Sequence, residues 1–201
     1  IKKQTYNNIE IIVIDNQSTD DTINILNLFK KYINIKIYNY NSINLAKALN
    51  FGITKCNGNY IARFDSDDIM RKNRLIKQIS FLKKNRDFLF VGTQALRFGF
   101  DYKIYKPFDI FYENVFLKLN LLFQSSFIHP TVMFNKNEVL KKVSKLYKEN
   151  MNECEDYDLW TRLINISKFK NLKYFGIYYR VHNKSASKLK KKTIKYFCKR
   201  H

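Results

Sequence analysis

Three carboxylates stand within four positions, directly after a short apolar stretch. Segment 57–75 reads "NGNYIARFDSDDIMRKNRL", and Asp65, Asp67 and Asp68 follow its apolar residues. Carboxylates this close repel one another and are costly to desolvate unless a positive group lies among them. Mg²⁺ or Mn²⁺ is such a group, because each takes one or two carboxylates and completes its shell with water and phosphate oxygens. The D-x-D spacing therefore predicts a divalent cation at Asp67, whereas Asp68 could equally cap the helix that follows.

Two further groups of acids follow or precede predicted elements. Asp15 ends the apolar run of "IEIIVIDNQS" (9–18), and Glu155 and Asp156 lie in "ECEDYDLW" (153–160). A carboxylate within hydrogen-bond reach of a hydroxyl can accept its proton and make it a better nucleophile. The same acids are also favoured at a helix start by the macrodipole, with Trp160 as a core residue. The segment alone leaves both interpretations open.

Strands and helices alternate along the chain. Strands are predicted within 9–15, 35–40, 60–64, 88–98, 129–135 and 172–182, and helices within 18–33, 44–56, 74–85, 112–126, 138–147 and 152–167. The first helix is expected to begin at an N-cap, Ser18 or Thr19, and to bury Ile23, Leu26 and Phe29. Leu75, Ile79 and Leu82 are expected to face inward from the helix at 74–85. This order predicts an α/β fold with a mixed, mostly parallel sheet and helices on both faces.

In such sheets ligands bind beyond the carboxyl ends of the strands. Two of these ends carry acids, namely Asp15 and the acidic cluster at 65–68, so the site is expected where they converge. The 201 residues contain no apolar run long enough to span a membrane. The three cysteines are scattered, which indicates reduced thiols in the cytoplasm rather than a disulfide framework.

The formal net charge of +20 is unevenly spread. The last 18 residues, 184–201, carry eight Lys and Arg and no acid, which leaves +12 for the rest of the chain. This basic tail, which also holds apolar residues, could lie on an anionic membrane surface or form a solvated terminus. Nucleic acid is not an expected partner, because no reading motif is present and acids cluster where a groove would need positive charge.

Taken together, the motifs resemble glycosyltransferase family 2, the inverting enzymes of GT-A fold that use nucleotide-sugars. The resemblance covers nearly the whole chain, and its order and spacing make it specific. It is carried by "QTYNNIEIIVIDNQSTDDT" (4–22), "NLAKALNFGITKCNGNYIARFDSDD" (44–68), "HPTVMF" (129–134), "EDYDLWTRL" (155–163) and "YRVHNKSAS" (179–187). It implies one domain over 1–183, with a nucleotide-sugar part at 1–98 and an acceptor part at 99–183, followed by the tail.

The resemblance also implies a role for each matching residue. On the donor side, Asp15 would hydrogen-bond the nucleotide base and Asp65 would lie near the ribose and the metal. Asn44 would be a further donor-binding residue. The metal ligands would be Asp65, Asp67 and His182, and Asp156 would be the general base. Glu155, Trp160 and Arg162 would lie on the acceptor side. The implied cofactor is Mg²⁺ or Mn²⁺, the expected donor is a UDP-sugar, and the acceptor is a saccharide or a lipid-linked saccharide at the inner face of a membrane.

The sequence departs from the family pattern in two places. The chain begins at Ile1 with "IKKQTYNN", so the family's first strand and helix are expected to be missing, which would leave an apolar sheet edge unpaired. Asn44 stands where the family usually has glycine, and asparagine tolerates a left-handed backbone there. The missing first strand keeps open an inactive remnant of the fold that acts as an interaction protein. The sequence pI of about 9.8 keeps open a less favoured alternative, a basic nucleic-acid-binding protein.

Overall fold

A computed structural model describes residues 1–42, 44–99, 101–151 and 154–182. The predicted basic tail at 184–201 lies outside these residues. The strands are β1 (Ile11–Asp15), β2 (Ile35–Asn39), β3 (Tyr60–Ala62), β4 (Ile69–Met70), β5 (Phe88–Phe98), β6 (Ile104–Pro107), β7 (Met133–Asn135) and β8 (Lys168–Arg180). The helices are α1 (Thr22–Phe29), α2 (Leu45–Lys55), α3 (Arg74–Lys84), α4 (Asn114–Asn120), α5 (Lys136–Leu140) and α6 (Glu155–Leu163), with a 3-10 turn at His129–Thr131.

The larger sheet is built around β5. Its strand order is β3-β7-β5-β8-β4, and β6 pairs with β5 on one side of this path. The β5–β8 ladder is parallel, whereas β3–β7, β5–β7, β4–β8 and β5–β6 are antiparallel. The sheet is mixed, as predicted, but parallel pairs do not dominate it. One reason is β7, which runs between β3 and β5 and is antiparallel to both; the other is that β4 and β6 add antiparallel ladders on β8 and β5.

Strands β1 and β2 form a separate parallel sheet with Ile11 opposite Ile35 and Asp15 opposite Asn39. Within the described ranges, β1 forms a ladder with β2 alone and β3 with β7 alone. The expected unpaired edge is therefore present on both strands. Most of β1 is only half-buried, and its support comes from α2, where Gly52 leaves room for the side chain of Ile14.

The first helix differs from the sequence prediction. It begins at Thr22, not after an N-cap at Ser18 or Thr19, because the Ser18 hydroxyl binds Asp15 instead. The carboxylate of Asp20 accepts a hydrogen bond from the backbone N–H of Thr22. No residue of α1 is buried, and Phe29 is exposed. The predicted apolar stripe therefore packs only loosely against β2.

The other elements follow their sequence patterns to different degrees. Strand β5 matches its predicted range, and α3 buries Leu75, Ile79 and Leu82 as expected. Helices α4 and α5 are shorter than predicted, and the strand predicted at 129–135 opens with the 3-10 turn. Strands β4 and β6 were not predicted. Among the described residues, each helix is too short or too polar to cross a bilayer.

The main core lies between the larger sheet and helices α2, α4 and α6. Trp160 is fully buried there and meets the rings of Phe90 and Phe127 at 5.1 and 4.9 Å between centroids. Burial of such aromatic side chains is the largest favourable contribution to folding in a core of this kind. The packing fixes α6 against the sheet, and with it the acids at the start of the helix.

Glu10 joins the two sheets. Its carboxylate accepts hydrogen bonds from the backbone N–H groups of Asn57 and Gly58, in the turn before β3, and from the Lys36 ammonium of β2 at 3.1 Å. Partial burial alone would raise the pKa of Glu10, but these donors lower it from 4.5 to about 2. The ionised carboxylate is therefore stabilised by folding.

We expect Glu10→Gln to lower the free energy of unfolding by about 1–2 kcal/mol at pH 7, since solvent screens part of the interaction. The folded pKa lies below the unfolded value, so this stabilisation is present above pH 4.5 and is lost as the pH falls toward about 2. Urea unfolding at pH 7 and at pH 3 measures the difference. The matched control is Asp87→Asn, which removes an exposed ion pair with Lys168. Equal effects of both variants at both pH values would contradict the role of Glu10.

Candidate active site

The loop after β1 is folded around the carboxylate of Asp15. Asp15 is buried at the carboxyl end of the strand and accepts hydrogen bonds from the backbone N–H and the hydroxyl of Ser18. Gln17 between them has a left-handed backbone, with φ 60°. The side chain of Asn16 accepts the N–H of Ser42 at 2.9 Å and so connects this loop to the one after β2. These contacts place Asp15 at the strand end where the sequence predicted a nucleotide contact.

Asn44 is the N-cap of α2. Its side-chain oxygen accepts the N–H of Lys47 at 3.1 Å, and its amide donates to the carbonyl oxygen of Glu149 at 2.6 Å. Its backbone is extended, with φ −92°, so the left-handed conformation considered for this position is not adopted. Asparagine is among the preferred N-cap residues, which explains its presence at the start of a helix.

The acidic cluster after β3 is held in place by two arginines. The Arg63 guanidinium donates to the carboxylate of Asp65 at 2.6 Å, and both residues lie in the segment that directly follows β3. The fully buried Arg74 donates to the carbonyl oxygens of Arg63 and Val132, at 2.8 and 3.3 Å, and to the side chain of Gln78. Burial lowers the pKa of Arg74 to about 9, so its guanidinium remains charged at neutral pH. The cluster therefore lies against fixed positive charge.

Asp68 differs from its neighbours because it is buried. It accepts the backbone N–H of Arg180 at 2.8 Å. Burial raises the pKa of Asp68 to about 7; the Arg180 hydrogen bond opposes this, and the charges of Asp65 and Asp67 add to it. Asp68 does not cap α3, because the N-cap of that helix is Asn73.

Asp67 meets His182, as the resemblance implied for two metal ligands. Its carboxylate lies 3.2 Å from Nε2 of the His182 ring. The contact spans 115 positions of sequence and depends on the β4–β8 ladder, in which Ile69 faces Tyr178. That ladder brings the residues that follow Asp67 beside those that precede His182. Asp65 is bound to Arg63 instead, so the three predicted metal ligands divide into a pair and a separate residue.

Tyr147 is a buried phenol bound to His129. Its hydroxyl lies 2.8 Å from Nε2 of His129, and both residues are buried. Burial raises the pKa of Tyr147; the charge of Arg63 lowers it, while those of Asp156, Glu155 and Asp65 raise it further. These charged groups are therefore near enough to this buried phenol to affect its pKa.

The acids of α6 have different surroundings. Asp156 is half-buried in the first turn, and its carboxylate accepts the N–H of Tyr157 at 2.8 Å. Glu155 is buried, with one carboxylate oxygen 3.9 Å from Nδ1 of His129. Of the two, Asp156 is the carboxylate that a hydroxyl from outside can reach.

Two residues predicted on the acceptor side have structural contacts. Trp160 is fully buried in the core, so its ring packs α6 against the sheet and does not face a ligand. Arg162 donates to the carboxylate of Asp158 at 2.7 Å and also to the carbonyl oxygen of Leu146. It thereby fastens α6 to the segment that holds Tyr147.

Within the described residues there is no group of three or more His, Cys, Asp and Glu side chains that could hold a metal ion by themselves. The pair Asp67 and His182 supplies oxygen and imidazole nitrogen, which suit a divalent cation that takes its remaining ligands from water and phosphate.

Comparisons with known proteins point to one family. The family model described as glycosyl transferase family 2 matches residues 1–144. The O-antigen biosynthesis glycosyltransferase WbnJ of Escherichia coli is 36% identical over 195 residues, which cover 94% of this chain and 74% of WbnJ. The chain belongs to glycosyl transferase family 2. A second E. coli relative, UDP-Glc:alpha-D-GlcNAc-diphosphoundecaprenol beta-1,3-glucosyltransferase WfaP, is 32% identical, with 95% of this chain and 73% of WfaP covered.

Solved structures give the fold of this family 2 glycosyltransferase. S. aureus TarS 1-349 in complex with UDP superposes with a TM-score of 0.67 at 21% identity, over 90% of this chain and 54% of that one. Mannosyltransferase PcManGT from Pyrobaculum calidifontis, in complex with GDP-Man and Mn2+, gives a TM-score of 0.66 at 13% identity, over 92% and 52%. The chain therefore has the predicted GT-A fold, and it spans about half the length of these two structures.

Sequence analysis missed three residues that organise the site of this family 2 chain. Arg63 could have been found, because it is a basic residue only two positions before Asp65 in the acidic segment. Tyr147 and Arg74 gave no comparable signal. Each acts through contacts with residues distant in sequence, and a lone tyrosine or arginine near a helix is ordinarily a surface residue.

We expect Arg74→Met to lower the free energy of unfolding by about 2–4 kcal/mol, because it removes the donor to the carbonyl oxygen of Arg63 and to the buried side chain of Gln78. Chemical denaturation measures the loss. The matched control is Lys84→Met on the exposed end of the same helix, which should stay within about 0.5 kcal/mol of the unsubstituted chain. If both variants were equally stable, Arg74 would not hold the strand end in place.

Proposed function

We propose that this glycosyltransferase moves a sugar from a nucleotide diphosphate sugar, with inversion, to the hydroxyl of a saccharide or lipid-linked acceptor. The observation that carries the proposal is the Asp67–His182 pair at 3.2 Å, together with a separate carboxylate, Asp156, in the first turn of α6. One cluster of acids can serve a cation, and a separate carboxylate can serve the acceptor. That separation suits a direct displacement in which donor and acceptor approach from opposite sides.

A divalent cation fits the first cluster. Asp67 and His182 would hold Mg²⁺ or Mn²⁺, and Asp65 lies close enough in sequence to contribute through water. When bound, the cation supplies positive charge that stabilises the diphosphate leaving group. Support comes from the donor chemistry of the pair and from the Mn2+ named for PcManGT. Asp15, at the end of β1, would accept hydrogen bonds from the nucleotide base, and Asn44 shapes the start of α2 beside it.

A uridine nucleotide is the donor that the relatives favour. UDP is bound in the TarS structure, and UDP-Glc is the donor in the name of WfaP. The same name gives its acceptor as a GlcNAc-diphosphoundecaprenol. We propose a lipid-linked saccharide acceptor here, which places transfer at a membrane surface and is consistent with a role in O-antigen or related polysaccharide biosynthesis. The basic tail 184–201 would contribute electrostatic attraction to anionic lipids there.

Asp156 is the proposed general base. It is half-buried in the first turn of α6 and belongs to the group of acids around Tyr147. An acceptor hydroxyl is a poor nucleophile until a carboxylate accepts its proton as the bond to the sugar forms. Glu155, buried beside His129, would orient the start of the helix and not contact the acceptor.

We expect metal-dependent binding of UDP that Asp67→Asn weakens about tenfold or more, because one of two protein ligands to the cation is lost. Calorimetric titration of UDP with and without Mn²⁺ measures this, with His182→Asn as a second variant. Asp87→Asn, an exposed acid between α3 and β5, is the control and should bind like the unsubstituted chain. A folded sample that binds neither UDP, GDP nor dTDP would reject the proposal and favour an inactive remnant of the fold.

Asp156→Asn should lower kcat by about 10²–10⁴-fold while UDP binding is unchanged, because the amide cannot accept the proton. Transfer from UDP-glucose to a short-chain lipid diphosphate N-acetylglucosamine would be followed. Asp109→Asn, an exposed acid before α4, is the matched control. Near-normal turnover in the Asp156 variant would exclude this residue as the base.

A further inference from the structure

An exposed apolar surface surrounds helix α4. Six exposed apolar side chains form it: one before the helix, three on the helix and two in the turn that follows. We call them the α4 patch (Phe111, Val115, Phe116, Leu119, Leu122 and Phe123). Leu122 and Phe123 are 70% and 85% exposed. Apolar patches of this extent on a soluble protein mark interaction sites. The only charged side chain from 114 to 128 is that of Lys118.

The patch is a fixed part of the structure. Asn114 accepts the backbone N–H of Phe169, and Asn171 donates to the carbonyl oxygen of Phe111, so the start of the segment is bound to β8. At the other end, the hydroxyl of Ser126 donates to the carbonyl oxygen of Leu117. The opposite side of α4 is buried, with Leu117 and Leu121 in the main core. The exposed side chains therefore stand on a helix whose position is set by the fold.

The patch is next to the acceptor side of the proposed site. The hydroxyl of Tyr157, the residue after Asp156, donates to the carbonyl oxygen of Leu121. Leu122 and Phe123 follow Leu121 directly. A surface that contacts the patch is thus adjacent to the helix that carries the proposed base.

We propose that the α4 patch inserts into the interface of an anionic lipid bilayer and seats the enzyme beside its lipid-linked acceptor. The inference rests on the proposed function. A second copy of the chain is disfavoured as occupant, because two molecules of formal net charge +20 repel each other, whereas an anionic leaflet attracts both. Phenylalanine and leucine bury apolar area in the interface, and the Lys118 ammonium lies at the level of the lipid phosphates.

The test is flotation of the full chain with vesicles of phosphatidylcholine and phosphatidylglycerol. The double variant Leu122→Gln with Phe123→Gln should reduce partitioning by about tenfold or more, because it removes two inserting side chains. Leu28→Gln with Phe29→Gln is a matched control, since it makes the same two exchanges at exposed positions of α1. The measurement is repeated in about 0.5 M salt, which screens attraction through basic residues but not apolar insertion.

Insertion itself is followed with tryptophan. Phe123→Trp should show a blue-shifted emission with vesicles and quenching by brominated lipid, and Phe29→Trp should show neither. Equal partitioning of both double variants at high salt would overturn the proposal. So would concentration-dependent self-association that the α4 variant abolishes while vesicle binding persists, because the occupant would then be a second copy. Vesicle binding needs no nucleotide, so this outcome is independent of whether UDP binds.

Discussion

Arg63 and Arg74 place two guanidinium groups against the strand end where Asp65, Asp67 and Asp68 crowd together. Without them, the mutual repulsion of the acids would oppose folding of this loop. Asp65 is neutralised by Arg63, and burial together with the neighbouring charges raises the pKa of Asp68 to about 7. Asp67 is left as the exposed carboxylate, paired with a histidine. The cation of the proposed function would therefore lie at Asp67, at one edge of the cluster.

The strands and helices predicted best from the sequence are the long ones, whose hydrophobic pattern repeats over many neighbouring residues. Strand β5 and helices α2 and α3 have enough residues for their periodicity to be unambiguous, and α3 buries the three residues expected of it. Strands β4, β6 and β7 have two to four residues each. Their pairing with β8 and β5 is set by contacts distant in sequence, which no local pattern records. That is also why the antiparallel part of the sheet was underestimated.

The positions of the candidate site residues in the fold were predicted to a comparable degree and for a related reason, whereas their roles stay predictions. Asp15, Asp67 and Asp156 lie at or near the ends of strands and helices. The alternation of strands and helices and the family resemblance both predicted site residues at such ends. The meeting of Asp67 with His182 was implied by the resemblance alone, because it requires the β4–β8 ladder. The role of Trp160 was ambiguous in the sequence, because an apolar residue near an acidic helix start can face either the core or a ligand. In the structure Trp160 is fully buried, so it is a core residue.

Helix α2 connects β1 to the segment that holds Tyr147, although the two sheets share no ladder among the described residues. Asn50 exchanges two hydrogen bonds with the backbone of Tyr147, and Asn44 binds the next turn of that segment. The other side of α2 packs on β1 through Gly52. If the proposed function holds, a nucleotide bound at Asp15 would order the loop after β1, and these contacts through α2 are the physical route by which that order would reach the segment that holds Tyr147.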